Sequence, residues 1–374
     1  MNRRARSPLP CLAAALLVTA CAGGEADRPA VVEAYGTTVN SADYGRALHL
    51  FIWPDYLDPA LVAEFEAAYG VTVTVDYYDT NEAMIAKLQA GGTGQYDLVV
   101  GSDYAIEMLR GANLLQPLDH GALPNLANLE ERFRNVPADP GNAYSVAYQW
   151  GTTGIGVRWD LIADTTRIVP SWALVFDPAA ALGPFTMLTD QRETIVAALL
   201  WLGHSPNSVD EAELAAAERL LMAQRDRLLT YAPSSTSRDL LASGDALLGH
   251  NYSGDVLQGQ SEVPGIRYLI PREGAVIWSD NLAIPTGAPD RRLAELFINF
   301  VLDPEVGARL SDFTRYATPN EASLPLVDPA LRANPGIYPD SATLARLYFL
   351  RDLGAAREAY DRIWTRLRAG ADGG

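Results

Sequence analysis

The chain is expected to fold as α/β layers around a mainly parallel sheet, and three features of the sequence point there. Short apolar runs of period two alternate with stretches of helical spacing through the first hundred residues. Each change of period is marked by Pro, Gly or a capping residue. With 374 residues, 48% hydrophobic and 20% charged, the chain is long enough for two sizeable cores and too apolar for extended disorder.

The elements follow in order. From Ala47, Leu48, Leu50 and Ile52 alternate with His49, Phe51 and Trp53 until Pro54, which predicts a strand and then a loop. Asp58-Pro59 opens a helix to Tyr69 with Leu61, Val62, Phe65 and Ala68 on one face, and Gly70 stands where a cap belongs. Val71–Tyr78 reads as a second strand, Asn81–Ala90 as a helix capped by Asn81, and Tyr96–Val100 as a third strand after the Gly91–Gly94 break. Ligands of such a sheet bind beyond the carboxyl ends of its strands, which draws attention to the loops Pro54–Asp58, Asp79–Thr80 and Gly101–Tyr104. Further on, strands are expected at Ser145–Gln149, Gly154–Arg158, Ala246–Tyr252, Ile266–Ile270 and Asn281–Ile284. Helices are expected at Arg192–Gly203, Val209–Arg225, Pro289–Leu302, Pro304–Phe313 and Ala355–Ala369.

The amino terminus carries an address. Arg3, Arg4 and Arg6 precede an apolar run from Leu9 to Val18, too short for the roughly 20 residues that span a bilayer, so residues 1–20 read as a secretory signal peptide. Small residues leading into Cys21 resemble a bacterial lipobox, which would make Cys21 a lipid anchor. An ordinary cut with an incidental Cys21 is the alternative. Cys11 lies inside the signal, so cleavage would leave Cys21 alone with no internal disulfide to form. Residues 21–45, rich in Gly, Ala, Glu and Asp, read as a flexible tether. The expected location is outside the cytoplasm, held to a membrane by acyl chains.

Charge and composition exclude several chemistries. A net charge of −17 argues against nucleic acid as partner. Lys87 is the single lysine among 29 basic residues, which excludes a Walker phosphate loop and most pyridoxal enzymes. His49, His120, His204 and His250 are scattered without metal-ligand spacing, so neither a metal nor a cofactor is expected. No G-x-S-x-G elbow occurs.

Several segments between Leu48 and about Arg368 resemble the extracytoplasmic polyamine-binding proteins of bacterial ABC importers. They are Trp53-Pro54-Asp55-Tyr56, Asp79-Thr80-Asn81-Glu82, Thr93-Gly94-Gln95-Tyr96-Asp97-Leu98-Val99-Val100, Trp150-Gly151-Thr152-Thr153-Gly154-Ile155-Gly156, Glu273-Gly274-Ala275 with Trp278 and Asp280, and Asn334-Pro335-Gly336-Ile337-Tyr338-Pro339. The resemblance implies a two-lobed periplasmic-binding-protein fold of type II, with two crossings and the ligand in the cleft between lobes. One lobe would comprise residues 46–153 and 280–316, the other 154–279 and 317–370. The partners implied are a polyamine such as putrescine or spermidine and an ABC permease, for a monomer that catalyses nothing.

Residue by residue, the resemblance implies ligand contacts by Trp53, Asp55, Tyr56, Ser102 and Tyr104 from the first lobe. Asp190, Glu193, Tyr252, Asp255, Trp278, Asp280 and the late aromatic Tyr316 would complete the set. Pro54 departs from a frequent Ser or Thr, and Tyr252 from the usual Trp. The residue types suit the ligand. Aliphatic amines with pKa near about 10.4 are cationic at neutral pH. Carboxylates bind their ammonium ends, and aromatic faces attract the charge while covering the methylenes. Other readings of these residues are a site for a different small cationic solute, a polyamine sensor for a membrane signalling protein, and a glycosidase using paired carboxylates.

Overall fold

A computed structural model describes residues 28–369. The signal peptide, Cys21 and the start of the tether lie outside the described residues. The later part of the tether region is not a tether: β1 (Val31–Ala34) and β2 (Thr37–Asn40) form an antiparallel hairpin. Val32 and Val39 are buried, and the Tyr35 ring packs edge-on against Phe300 at 4.6 Å. Four-residue strands are too short for a period to show.

The strand–helix alternation appears where the sequence places it. β3 (Ala47–Ile52) leads to the helix Pro59–Tyr69, capped by the Asp58 carboxylate accepting from Ala60 N and closed by Gly70 at φ 63°. β4 (Thr72–Tyr77) precedes the helix Asn81–Gln89, whose cap is Thr80 rather than Asn81. The hydroxyl of Thr80 accepts from Ala83 N, which leaves the Asn81 amide free to bond elsewhere. β5 runs Leu98–Ser102, two residues later than expected, because Tyr96 stacks on Phe51 at 4.4 Å and the Asp97 side chain bonds backbone before the ladder begins. Residues 103–104, expected in a loop, open the helix Asp103–Gly111.

The sheet is mixed rather than mainly parallel. β6 (Ser145–Arg158) is one strand where two were expected, and β11 (Ala275–Ala283) begins six residues earlier than expected. Pairing between these two carries the backbone straight through Trp150–Thr153, so the polar and glycine positions there do not break the strand. With β7 (Phe185–Leu188), β8 (Leu228–Ala232), β9 (Leu248–Tyr252), β10 (Ile266–Leu269) and β12 (Leu347–Tyr348), the order is β4-β3-β5-β11-β6-β9-β7-β8. β10 flanks β6 and β12 flanks β11. β3, β4 and β5 pair in parallel, as do β7, β8 and β9, and β12 with β11, while β6 and β11 run antiparallel to each other and to β5, β9 and β10. β7, β8 and the helices Ser234–Ser243 and Ser253–Glu262 were not anticipated.

Two lobes result, joined where β6 and β11 exchange partners. β11 pairs with β5 from Asp280 onward, and β6 pairs with β9 from Thr153 onward. The chain returns to the second lobe later than residue 317. Asn320 Nδ2 donates to Leu302 O at 2.8 Å and Glu130 N to Pro319 O at 2.9 Å, which holds this stretch on the first lobe. The final helix, Arg357–Ala369, packs on the second, where Gln191 Nε2 donates to Asp361 Oδ1 at 2.8 Å. Among the described residues no helix is long and apolar enough to cross a membrane.

Asp97 stitches the first lobe together. Fully buried, it accepts from His49 N at 2.8 Å and from Asp290 N at 2.6 Å, tying β3 to the start of the helix Arg291–Val301. Asp97→Ala strands both donors and is expected to lower unfolding free energy by about 2–4 kcal/mol, read from denaturant titration. A loss below about 0.5 kcal/mol would show that water replaces the carboxylate.

Candidate ligand-binding cleft

A cavity of about 110 Å³ lies between the lobes, at the carboxyl ends of the parallel strands. The turn after β3 supplies Trp53, Pro54, Asp55 and Tyr56, and Ser102 with Tyr104 follow from the end of β5. Asp190 and Glu193 come from beyond β7, Tyr252 and Asp255 from the end of β9, Trp278 and Asp280 from β11, and Tyr316 from beyond the helix Pro304–Thr314. Every side chain that the sequence assigned to a ligand therefore lines one cavity.

Asp280 is its centre. The register of β11 against β6 slips between Asp280 and Asn281, and such an irregularity re-aims side chains. Its Oδ1 accepts from Ser102 Oγ at 2.7 Å and its Oδ2 from Tyr56 OH at 2.8 Å. Asn81, released from capping, donates to Ser102 Oγ at 3.1 Å. Burial pushes the Asp280 carboxyl up to about 7. Behind it, Asp103 accepts from Ser279 N at 2.8 Å, and burial together with the Asp280 charge pushes it also to about 7.

A second acidic group faces it from the other lobe. Asp190 caps the helix Gln191–Trp201, accepting from Arg192 N at 2.9 Å and Glu193 N at 3.1 Å. Glu193 Oε1 accepts from Thr153 Oγ1 at 3.0 Å, while its Oε2 is buried without a partner. Burial and then the neighbouring Asp190 raise the Glu193 carboxyl well above the usual range. Tyr104 OH reaches from the first lobe to Glu82 Oε1 at 3.1 Å, and Glu82 is raised by burial and by Asp190. Two lobes thus bring like charges together with no basic group between them that lacks other bonds: Arg192 donates to Arg351 O at 3.1 Å and Asn207 Oδ1 at 3.2 Å.

Aromatic rings complete the wall. Trp278 lies 5.1 Å from Tyr316 and 5.7 Å from Tyr252, and Tyr56 lies 5.8 Å from Trp53 and 5.3 Å from Tyr316, all edge to face. Two glycines permit this packing. A Cβ at Gly151 would sit 2.7 Å from the Trp278 ring, and one at Gly254 2.5 Å from Tyr316. Such a site can desolvate a slender chain between ring faces and meet cationic groups with carboxylates at fixed separations.

The family of extracellular solute-binding proteins of bacteria matches residues 60–339. The chain belongs to that family. It is 36% identical to the putrescine-binding periplasmic protein SpuD of Pseudomonas aeruginosa over 341 residues, 87% of this chain and 92% of the relative. It is 33% identical to the spermidine/putrescine-binding periplasmic protein of Escherichia coli over 337 residues, 90% and 96% of the two chains. The solved TpPotD lipoprotein of Treponema pallidum superposes with a TM-score of 0.75 at 30% identity, covering 86% of this chain and 99% of that one.

The solute-binding cleft also contains residues the sequence did not assign. Asp79, Asn81, Asp103, Pro233, Ser234, Ser235 and Leu350 line it too. Asp79 lies in the loop Asp79–Thr80 flagged by the strand-end rule, and Asn81 opens the helix after it; both fall within the segment Asp79-Thr80-Asn81-Glu82. Pro233, Ser234 and Ser235 obey the same rule, but β8 alternates too weakly to reveal that a strand precedes them. Leu350 carries no local pattern. Among the described residues no three His, Cys, Asp or Glu side chains group to hold a metal ion.

Carboxyls raised in the folded state keep protons that the unfolded chain releases, so stability falls as pH rises between the unfolded and folded values. With Asp280 and Asp103 both raised to about 7, the ligand-free protein is expected to lose stability steadily from about pH 4 to pH 7. Denaturant midpoints across that range check this, and Asp280→Asn should flatten the slope. A rise in stability over the same range would mean that these carboxyls ionise freely when empty.

Proposed function

We propose that this chain captures a polyamine, putrescine or spermidine, in the cleft outside the cytoplasm and delivers it to an ABC permease. The observation that carries the reading is an aromatic-walled cavity whose buried carboxyls outnumber its available cations, with Glu193 Oε2 left unpaired. A linear di- or triamine supplies what is missing: ammonium groups for Asp280 and Glu193 and methylenes for the rings between them. Relatives named for putrescine and spermidine binding, matched over most of their length, support the same ligand class. The reading includes no catalysis, since the carboxyls serve to bind charge.

The protein would act as a monomer with Cys21 as its lipid anchor, the new amino terminus after removal of residues 1–20. That the Treponema pallidum relative is named a lipoprotein supports that arrangement. Cys21→Ser is expected to abolish metabolic labelling with a fatty acid and release the protein from membranes. Retained label would place the acyl chain elsewhere.

Calorimetric titration of a soluble form lacking residues 1–21, stripped of carried ligand, with putrescine, cadaverine, spermidine and spermine tests the ligand. One-to-one binding is expected for at least one of them. Asp280→Asn should weaken it roughly a hundredfold or more while the protein stays folded, because an ammonium loses its charged partner. Affinity should rise with pH between about 5 and 7.5, since the Asp280 carboxyl must shed its proton to meet a cation. No heat with any amine from folded protein would sink the polyamine reading and leave the fold intact.

A further inference from the structure

A cation stands beside one end of the cleft, paired with an acid that lines it. Arg238 lies one turn beyond Ser234 on the helix Ser234–Ser243, and its Nη1 is 3.5 Å from Asp55 Oδ2, an ion pair that crosses between lobes. Nη1 also donates to Gln258 Oε1 at 3.0 Å, and Gln258 Nε2 is tied to Thr314 O at 2.9 Å. The arginine stem fits because residue 259 is glycine: a Cβ there would lie 2.9 Å from Arg238 Cγ. Only 16% of the side chain is exposed, so the guanidinium is held rather than free to swing away.

Of the two acids at this end, one pairs with it and the other lies in its field. Asp55 is paired directly, its backbone in the left-handed region at φ 56°. Asp255, which burial pushes up, feels the same charge and accepts from Tyr316 OH at 3.1 Å. The opposite end differs. There Glu193 Oε2 has no partner, and the nearest guanidinium, that of Arg192, donates to Arg351 O and Asn207 Oδ1.

We propose that Arg238 determines ligand length: its guanidinium fills the ammonium station between Asp55 and Asp255, so the cleft takes cationic groups only at Asp280 and toward Asp190 and Glu193. This rests on the polyamine reading and makes it specific. An amine chain long enough to bring a further ammonium to the Asp55 end meets a fixed like charge and finds its carboxylates engaged. Diamines and triamines are therefore favoured over tetraamines.

Calorimetry on the wild type, Arg238→Ala and Arg238→Lys with putrescine, spermidine and spermine tests this. The wild type is expected to bind spermine most weakly. Arg238→Ala, a substitution that suits a helix, should improve spermine relative to putrescine by about tenfold or more. Arg238→Lys, which keeps the charge, should keep the wild-type order, as a merely structural role would not require. Arg238→Gln gives the same test without a cavity should the alanine variant fail to fold. Tight spermine binding by the wild type, or ratios unchanged within about twofold in the neutral variants, would overturn the proposal while leaving the polyamine reading in place. Absence of binding in the wild type and in every folded variant would overturn both.

Discussion

Burial of carboxyl groups without matching cations is the constraint around which this molecule is arranged. Asp103, Asp190, Glu193 and Asp280 are all nearly inaccessible to water, and their burial disfavours the charged state. Hydroxyl and backbone donors soften that cost for Asp280, Asp190 and Asp103 without removing it. What remains is a site whose folded state is under electrostatic strain when empty. A ligand with fixed positive charges relieves that strain, which makes affinity and specificity two aspects of one charge balance.

The architecture places these carboxyls between the two lobes. β6 and β11 are continuous through both lobes, so the lobes share a rigid seam while their outer strands and helices stay separate. Asp280 and Trp278 sit on the seam itself, Tyr56 and Ser102 reach them from the first lobe, and Glu193 and Tyr252 from the second. Contacts across the cleft hold the lobes together: Glu107 pairs with Arg351 at 2.9 Å, and Asp55 with Arg238 at 3.5 Å. Both are exposed on at least one side and individually weak.

Aromatic packing and charge are coupled through glycine. Gly151 and Gly254 let Trp278 and Tyr316 approach the backbone beside Asp280 and Asp255. The asymmetry of the cleft follows from one arginine. At one end Asp55 is paired with Arg238 and Asp255 accepts from Tyr316, while at the other Glu193 Oε2 has no partner. A cavity of similar residue composition at both ends thus has two different chemistries.

Much of this was legible in the sequence. Period-two runs and caps located β3, β4 and the helices Pro59–Tyr69 and Asn81–Gln89, since those patterns are local. The strand-end rule and the quoted motifs identified the acids and aromatics that the structure gathers. Continuity of β6 and β11 was hidden, because a strand paired on both sides needs no alternation and tolerates Gly151 and Thr152 inside it. The hairpin at residues 31–40 and the packing of residues 319–320 on the first lobe were hidden as well, since both depend on distant packing partners. Sequence by itself determined which side chains could bind a cation, because charge and aromaticity belong to the residue. Only the tertiary structure decided which carboxyls stand unanswered and which are already held by Arg238, because pairing depends on separations between lobes that no local pattern encodes.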